Sequence, residues 1–381
     1  MLPTHHICLV AESPMPTLGP LLDKSIGAKS AILLFPPYTQ PFAEHQAKVL
    51  QKHGIKTDLF ALPDPYHLQP LIDLLTPLAA QYKHGACINI TGGSKLMSLA
   101  AWQVFNQSQH YLYYIHLHHD SMIWLNHQQA DHPISDSIKL PDYFAAHGYQ
   151  VIGNSATAAH PVLMQLAHTL AQGTYQNEHV AIINAGIEES KTGGNNLTIP
   201  YKNSKKMDAF IKLLCDANIA TIKHNHLHLD DSGVWRFLNG EWLEQVTLDA
   251  VLQLKQQYPK FQDIAIGLKV SNPNQRFHGL NGNQQSLSNE LDVVILRDNT
   301  LYLIECKGGK KFPNEADNYT TKLDSLRDTL GGIKGKGLII SQYALTQGSE
   351  KRANEYRIKT LSGNQAIKSL KEHLAIWLEI L

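Results

Sequence analysis

The sequence predicts an α/β chain in three blocks: a doubly wound, Rossmann-like N-terminal domain (residues 1–145), a winged-helix-like middle segment (146–234) and a C-terminal α/β domain (235–381). Three observations predict it. Apolar runs alternate with amphipathic stretches along the first block, the rhythm of βαβ units. The middle block shows helical patterns and then a short hairpin pattern. In the last block, two apolar runs flank Asp298-Asn299 and read as a β-hairpin.

The first block supplies strands at "HHICLVAE", "KSAILLFP", "KTDLFALP", "ACINITGG" and "HYLYYIHL". Helices lie between them, among them "FAEHQAKVLQKHG" and "YHLQPLIDLLTPLAAQYK". Parallel sheets of this kind bind ligands beyond the carboxyl ends of their strands. One such end carries Thr91, Gly92, Gly93, Ser94 and Lys95, inside "NITGGSKLMSLAAWQVF". Glycines let a backbone approach a ligand closely. The N-terminus of the following helix offers free N–H groups and a positive dipole to an anion, and Lys95 adds a charge. Neither G-x-x-x-x-G-K-[ST] nor G-x-G-x-x-G is present, so no nucleotide-hydrolase loop or dinucleotide fingerprint supports a redox enzyme.

In the middle block, "HPVLMQLAHTLAQG" and "SKKMDAFIKLLCDAN" read as helices and "IATIKHNHLHLDD" as a hairpin, with "EESKTGGNNLTIPYKNSKK" as a loop. His224, His226 and His228 alternate there, which reads as a structural or exposed face, since no fourth zinc ligand is evident. The third block begins with a helix near Glu241 that runs through "EWLEQVTLDAVLQLKQQ". Strands follow, then a helix from about Glu315 to Leu330, the strand "KGLIISQY" and an amphipathic helix from about Asn364.

The hairpin carries the chemistry. With Asp298-Asn299 as a two-residue turn, opposed residues have numbers summing to 597. Asp292 then faces Glu305, and Glu290 faces Lys307. Opposed Cβ atoms on a strand pair sit ~4.5–5.5 Å apart, and two carboxylates that close repel unless a cation or proton lies between them. A divalent cation with oxygen ligands answers that need, with Asp292 and Glu305 as its ligands. Lys307 points to the same side, where it can stabilise phosphate charge or orient the attacking water. This is an inventory for phosphodiester hydrolysis. Cys306 points the other way and reads as core.

Bulk composition bounds the partners. The net charge is zero with His neutral, so no whole-protein field attracts nucleic acid. All six arginines lie at or after Arg236, while residues 1–145 hold 8 lysines, no arginine and 10 acids. Bidentate phosphate contacts therefore belong to the C-terminal block. Cys8, Cys87, Cys215 and Cys306 are scattered without a CxxC pair, as expected of a reducing cytoplasm. No signal peptide precedes the first strand, and no apolar run is long enough to span a membrane.

D…E-x-K on a hairpin, preceded by the acidic helix "NGEWLEQV", resembles the PD-(D/E)xK nuclease superfamily, although the proline of that name is absent before Asp292. The resemblance assigns catalytic roles to Asp292, Glu305 and Lys307. The helical acid of the superfamily maps best to Glu244, with Glu241 as the alternative. Lys322 and Arg327, on the helix after the hairpin, become candidates for phosphate contact. Taken with T-G-G-[ST]-K, the order of the three blocks resembles the CARF-domain nucleases of type III CRISPR defence over nearly the whole chain. That resemblance implies a restriction-endonuclease-like C-terminal domain and a CARF sensor that binds a cyclic oligoadenylate, cyclic tetra-adenylate in the nearest members, as a homodimer. It implies Mn2+ or Mg2+ as cofactor, DNA, RNA or both as substrate, and Ser13 and Thr17 in the loop "AESPMPTLGP" as further ligand contacts. Two other readings compete: a restriction- or repair-type DNase with a merely dimerising N-terminal domain, and a nucleotide-sensing transcription regulator.

Overall fold

The computed structural model describes residues 2–107, 109–154, 158–190, 198–200, 204–224, 226–229, 232–278 and 284–381. The first block contains β1 (His5–Leu9), α1 (Met15–Leu22), β2 (Ser30–Phe35), α2 (Gln40–Lys52), β3 (Lys56–Ala61), α3 (Leu68–Gln81), β4 (Cys87–Asn89), α4 (Lys95–Phe105), β5 (Tyr111–His116), β6 (Ser121–Trp124), β7 (His132–Pro133) and α5 (Leu140–Ala146). Its sheet runs β3-β2-β1-β4-β5-β6-β7, parallel through β5 and antiparallel beyond. The near-continuous apolar runs expected of doubly covered strands are explained by this layering. Ile7, Leu9, Ile88 and Leu112 pack under α3 and α4. Cys8, Val10 and Leu33 pack on the other face with α1, α2 and α5.

Residues 11–20 read as a loop in the sequence, but α1 starts at Met15. Three prolines hide this helix. Pro14 caps it and Pro16 sits in its first turn, where no N–H is needed. Pro20, inside the helix, has no N–H to give to the Pro16 carbonyl. That carbonyl instead accepts the Asn89 side-chain amide at 2.7 Å.

The middle block holds β8 (Gln150–Asn154), α6 (Pro161–Ala171), α7 (Gln176–Ser190), β9 (Thr198–Pro200), α8 (Lys205–Asp216), β10 (Ala220–Lys223) and β11 (His226–Leu229). Its described residues form the helices α6, α7 and α8 and a small β10-β11-β9 sheet. Much of the "EESKTGGNNLTIPYKNSKK" stretch lies outside the described residues. His224 occupies the β10–β11 turn at φ 49°, so the three histidines do not share one strand. The strand β8 does not belong to this module. It pairs antiparallel with the third block, so the block limits of the sequence cut through a sheet.

The third block comprises α9 (Ser232–Arg236), α10 (Trp242–Gln257), β12 (Phe261–His278), β13 (Gln284–Arg297), β14 (Thr300–Lys307), α11 (Ala316–Leu326), β15 (Lys336–Ser341), α12 (Gln347–Glu355), β16 (Ile358–Ser362), α13 (Asn364–Lys368) and α14 (Leu370–Trp377). Its sheet runs β16-β15-β14-β13-β12-β8. One face (Val293, Ile295, Tyr302, Ile304 and Cys306) packs against α10, α14 and the middle module. The other (Val294, Leu296, Leu301 and Leu303) joins the core that also holds α2, α5 and part of the N-terminal sheet. First and third blocks therefore share one apolar core. Among the described residues no helix is long and apolar enough to cross a membrane.

Candidate active site and ligand motif

Asp298 and Asn299 have φ of 49° and 52° and form the two-residue hairpin turn. The β13–β14 ladder runs from Arg297–Thr300 to Val293–Ile304 in the register the sequence predicts. It stops one step short of the carboxylates. Leu291, which strict alternation would put on one face with Val293 and Ile295, packs instead in the opposite core. At this opened strand end the Asp292 carboxylate accepts the Cys306 backbone N–H at 2.8 Å.

Lys307 ties the site together. Its Nζ lies 3.0 Å from Asp292 Oδ2 and 2.6 Å from Glu305 Oε1, and 5.0 Å above the Tyr319 ring. Asp292 is 8% exposed and Glu305 5%. Burial, then the Asp292 charge, pushes the Glu305 carboxyl up. Burial opposes the Lys307 charge, but Glu305 and Asp292 more than offset it and hold the ammonium protonated. Glu244, in the first turn of α10, is pushed up to about 9 by burial and by Asp292, with Lys307 pulling the other way. Glu241 feels Arg236 and Glu290 instead and lies 3.6 Å from Arg236. Of the two helical acids, Glu244 is the one that shares the site. Cys306 is pushed far up by burial and bonds Thr247, which leaves it a core thiol.

Three buried or half-buried carboxylates around one ammonium keep an unmet demand for positive charge. Their hard oxygen donors suit Mg2+ or Mn2+. Among the described residues, however, the acids that bring three ligand oxygens within 4.8 Å of one another are Asp120, Asp136 and Asp298. Asp292, Glu305 and Glu244 do not form such a group; Lys307 contacts the first two at 3.0 and 2.6 Å.

Sequence reasoning missed several residues here. Gly308 is one: a Cβ there would touch the Gly240 backbone and Trp242 Nε1 at 3.4 Å, ordinary van der Waals contact. Trp242 Nε1 and both polar atoms of the Gln342 side chain are buried without a hydrogen-bond partner among the described residues. The signal for Gln342 was a polar residue ending the apolar run "KGLIIS". Of the two α11-side cations, Lys322 acts on Glu305. Arg327 does not reach the site. It is held by Asp324 at 2.8 Å, Asp328 at 2.6 Å and the Tyr356 carbonyl at 2.9 Å.

At the N-terminal motif, Asn89 is fully buried and its Oδ1 accepts both the Thr91 N–H (3.0 Å) and the Thr91 hydroxyl (2.6 Å). Thr91 Oγ1 in turn accepts the Ile115 N–H at 2.8 Å, so this side chain works for the fold. Gly92 abuts the end of β1, where a Cβ would come within 2.1 Å of the Leu9 carbonyl oxygen. Gly93 has φ of 74°, open to glycine at no strain. Ser94 caps α4 by accepting the Met97 N–H at 3.2 Å and donates to the Pro65 carbonyl. Lys95 is exposed at the helix start and forms no ion pair among the described residues. Thr17, expected to face a ligand, is a correction: it is 1% exposed inside α1. Ser13 precedes that helix and lies beside Gly332 of the third block, 4.0 Å from the Cβ position there.

Residues 231–381 match the family model of the Card1-like endonuclease domain, and residues 64–143 match the Card1 CARF domain. The chain belongs to the Card1-like CARF endonucleases. The Card1-like architecture extends over whole structures. Protein VC1899 from Vibrio cholerae superposes with a TM-score of 0.85 at 23% identity, covering 99% of this chain and 98% of that one. Can2 from Sulfobacillus thermosulfidooxidans, in complex with cyclic tetra-adenylate, gives 0.80 at 22% identity over 98% and 99%. A type III CRISPR defence DNA nuclease activated by cyclic oligoadenylate gives 0.54 at 16% identity over 90% of this chain and 46% of that one. At these identities the likeness speaks for the fold. No curated protein matches the chain.

Proposed function

We propose that this chain is a metal-dependent PD-(D/E)xK nuclease of type III CRISPR defence that cleaves DNA, RNA or both. It works as a homodimer switched on by cyclic tetra-adenylate. The observation that carries the reading is Lys307 bridging Asp292 and Glu305 at the end of a central hairpin, with Glu244 beside them. Asp292 and Glu305 would hold Mn2+ or Mg2+, with Glu244 as a further oxygen donor. Such an ion, when bound, supplies an activated water and neutralises phosphate charge. Lys307 keeps its proton and lies in reach of both carboxylates, where it orients water or meets a phosphate oxygen. Burial and the Asp292 charge hold the Glu244 carboxyl well above its ordinary range, a strain that a bound cation would relieve. Lys322 offers a second cation on the substrate side.

In the sensor, the bare backbone of Gly93, the α4 N-terminus and the Lys95 ammonium form an anion-binding edge. Can2 in complex with cyclic tetra-adenylate supports that ligand for this fold. A cyclic tetranucleotide has internal two-fold symmetry, and a two-fold dimer offers it two copies of one surface. The test incubates the protein with Mn2+ and labelled DNA or RNA, with and without cyclic oligoadenylates of each ring size. Cleavage only with metal and with the tetra-adenylate is expected. Cleavage in EDTA, or indifference to every ring size, overturns the reading.

A further inference from the structure

The turn of the catalytic hairpin is not free. Asn299 is buried, and its side-chain amide donates to Asp120 Oδ2 in the β5–β6 turn of the N-terminal block. The same residue is gripped twice by Gln262, whose Oε1 accepts the Asn299 N–H at 2.7 Å and whose Nε2 donates to Asn299 Oδ1 at 2.8 Å. Lys260 holds both Asp298 oxygens at 2.9 and 3.0 Å. Asp136 crowds the same place, its oxygen within 4.8 Å of those of Asp120 and Asp298. A turn clamped on this many sides moves with its neighbours or not at all.

The other end of this connection lies at the ligand motif. The Thr91 hydroxyl accepts the Ile115 N–H, and Ile115 is followed within a few residues by Asp120. From Asn299 the regular ladder carries the hairpin to Val293–Ile304, and Asp292 and Glu305 are the next residues along. A shift of β4 and β5 at Thr91 is thus handed through Asp120 to one end of a stiff two-stranded lever. The carboxylates sit at its other end.

We propose that the Asp120–Asn299 hydrogen bond couples the sensor to the active site, with both residues positioning the catalytic hairpin. This rests on the ligand-activated reading above. A ligand shifts an equilibrium only through contacts that differ between states, and this bond is a contact through which the two blocks can sense one another.

The test is a double-mutant cycle read as the ratio of cleavage with and without saturating cyclic tetra-adenylate. Asn299→Asp removes the donor and sets a fourth carboxylate against Asp120, Asp136 and Asp298. Stimulation, the ratio of cleavage with ligand to cleavage without it, should fall at least tenfold, while the protein still saturates with ligand. Asp120→Asn keeps an acceptor oxygen and should keep stimulation. The double variant Asp120→Asn/Asn299→Asp exchanges donor and acceptor, restores the carboxylate count and should recover most of the stimulation. If Asn299→Asp does not fold, Asp120→Ala removes the acceptor without adding charge and takes its place. Wild-type stimulation in Asn299→Asp, or in Asp120→Ala where that variant stands in, overturns the coupling. So does a double variant no better than the single. A wild type that the ligand does not stimulate overturns the activation reading itself, and the coupling with it.

Discussion

Nζ of Lys307 lies 2.6 Å from Oε1 of Glu305, with the carboxylate buried and the lysine half-buried. Removing one partner of such a pair leaves the other buried and unpaired. Glu305→Ala still leaves Lys307 its contact with Asp292, so the protein should fold, bind ligand and lose at least ~100-fold in cleavage rate. Lys307→Met leaves Asp292 and Glu305 facing each other without a cation and should cost roughly 3–5 kcal/mol of stability as well as activity. Thermal melts and cleavage rates on both variants check this. Equal melting temperatures for wild type and Lys307→Met would contradict it.

Asp292 does two jobs, and substitutions should separate them. Its oxygen accepts the Cys306 N–H, so Asp292→Ala strands a buried donor at a cost of about 1–3 kcal/mol. Asp292→Asn keeps an acceptor there and should melt near wild type while losing cleavage as severely as Glu305→Ala. A stable, active Asn variant would remove Asp292 from the metal site.

Lys95→Ala should weaken binding of cyclic tetra-adenylate by roughly 10–100-fold, the loss of one charged hydrogen bond of ~1.5–3 kcal/mol. Excess ligand should restore much of its cleavage, because the carboxylates and Lys307 are untouched. Parallel titrations of binding and cleavage decide the matter, and wild-type affinity in Lys95→Ala excludes this lysine from the ligand site.

The two motif glycines should differ. A Cβ at Gly92 collides with backbone at 2.1 Å, which cannot yield, whereas one at Gly93 meets the flexible end of Met97 at 2.7 Å. Gly92→Ala should destabilise by more than about 2 kcal/mol. Gly93→Ala should cost about 1 kcal/mol, mainly from its left-handed backbone. Denaturation midpoints that rank the other way would contradict this geometry.

His6 gives the sensor an acid sensitivity. It is 1% exposed, and burial, aided by His5, lowers its pKa from 6.5 to about 4. A depressed folded pKa means the unfolded chain takes the proton first. Stability from this residue is complete above 6.5 and drains as the pH falls towards 4, by up to about 3 kcal/mol. Asp136, raised to about 6 by burial and by Asp298, slopes the opposite way, so the comparison must be between variants. Melting temperature should fall less steeply between pH 6.5 and 4 in His6→Gln than in wild type. Parallel curves would contradict it.

Local patterns in the sequence reached far into this fold. The hairpin register, the turn at Asp298-Asn299 and the meeting of Asp292, Glu305 and Lys307 all follow from period-two alternation and turn chemistry. The helix α1 escaped because prolines that mark loops elsewhere sit at positions a helix tolerates. The strand β8 is short and its partner β12 is distant in sequence, while α12 and β16 are simply short. Thr17 went astray with α1. Glu244 could not be told from Glu241 by spacing alone, since three residues on a helix share a face; only the position of Asp292 separates them. Asp120 and Asn299 lie far apart in sequence and carry no local signal of each other.

The outer strand of the catalytic sheet, β8, is contributed by sequence that leaves the ribosome well before the hairpin does. Domains fold in order of synthesis where they can. Here the six-stranded nuclease sheet is complete only when its edge strand, which follows the sensor directly in the chain, pairs with β12. The complete nuclease sheet therefore forms only after the whole sensor block has been synthesised, and the two blocks close their shared core together.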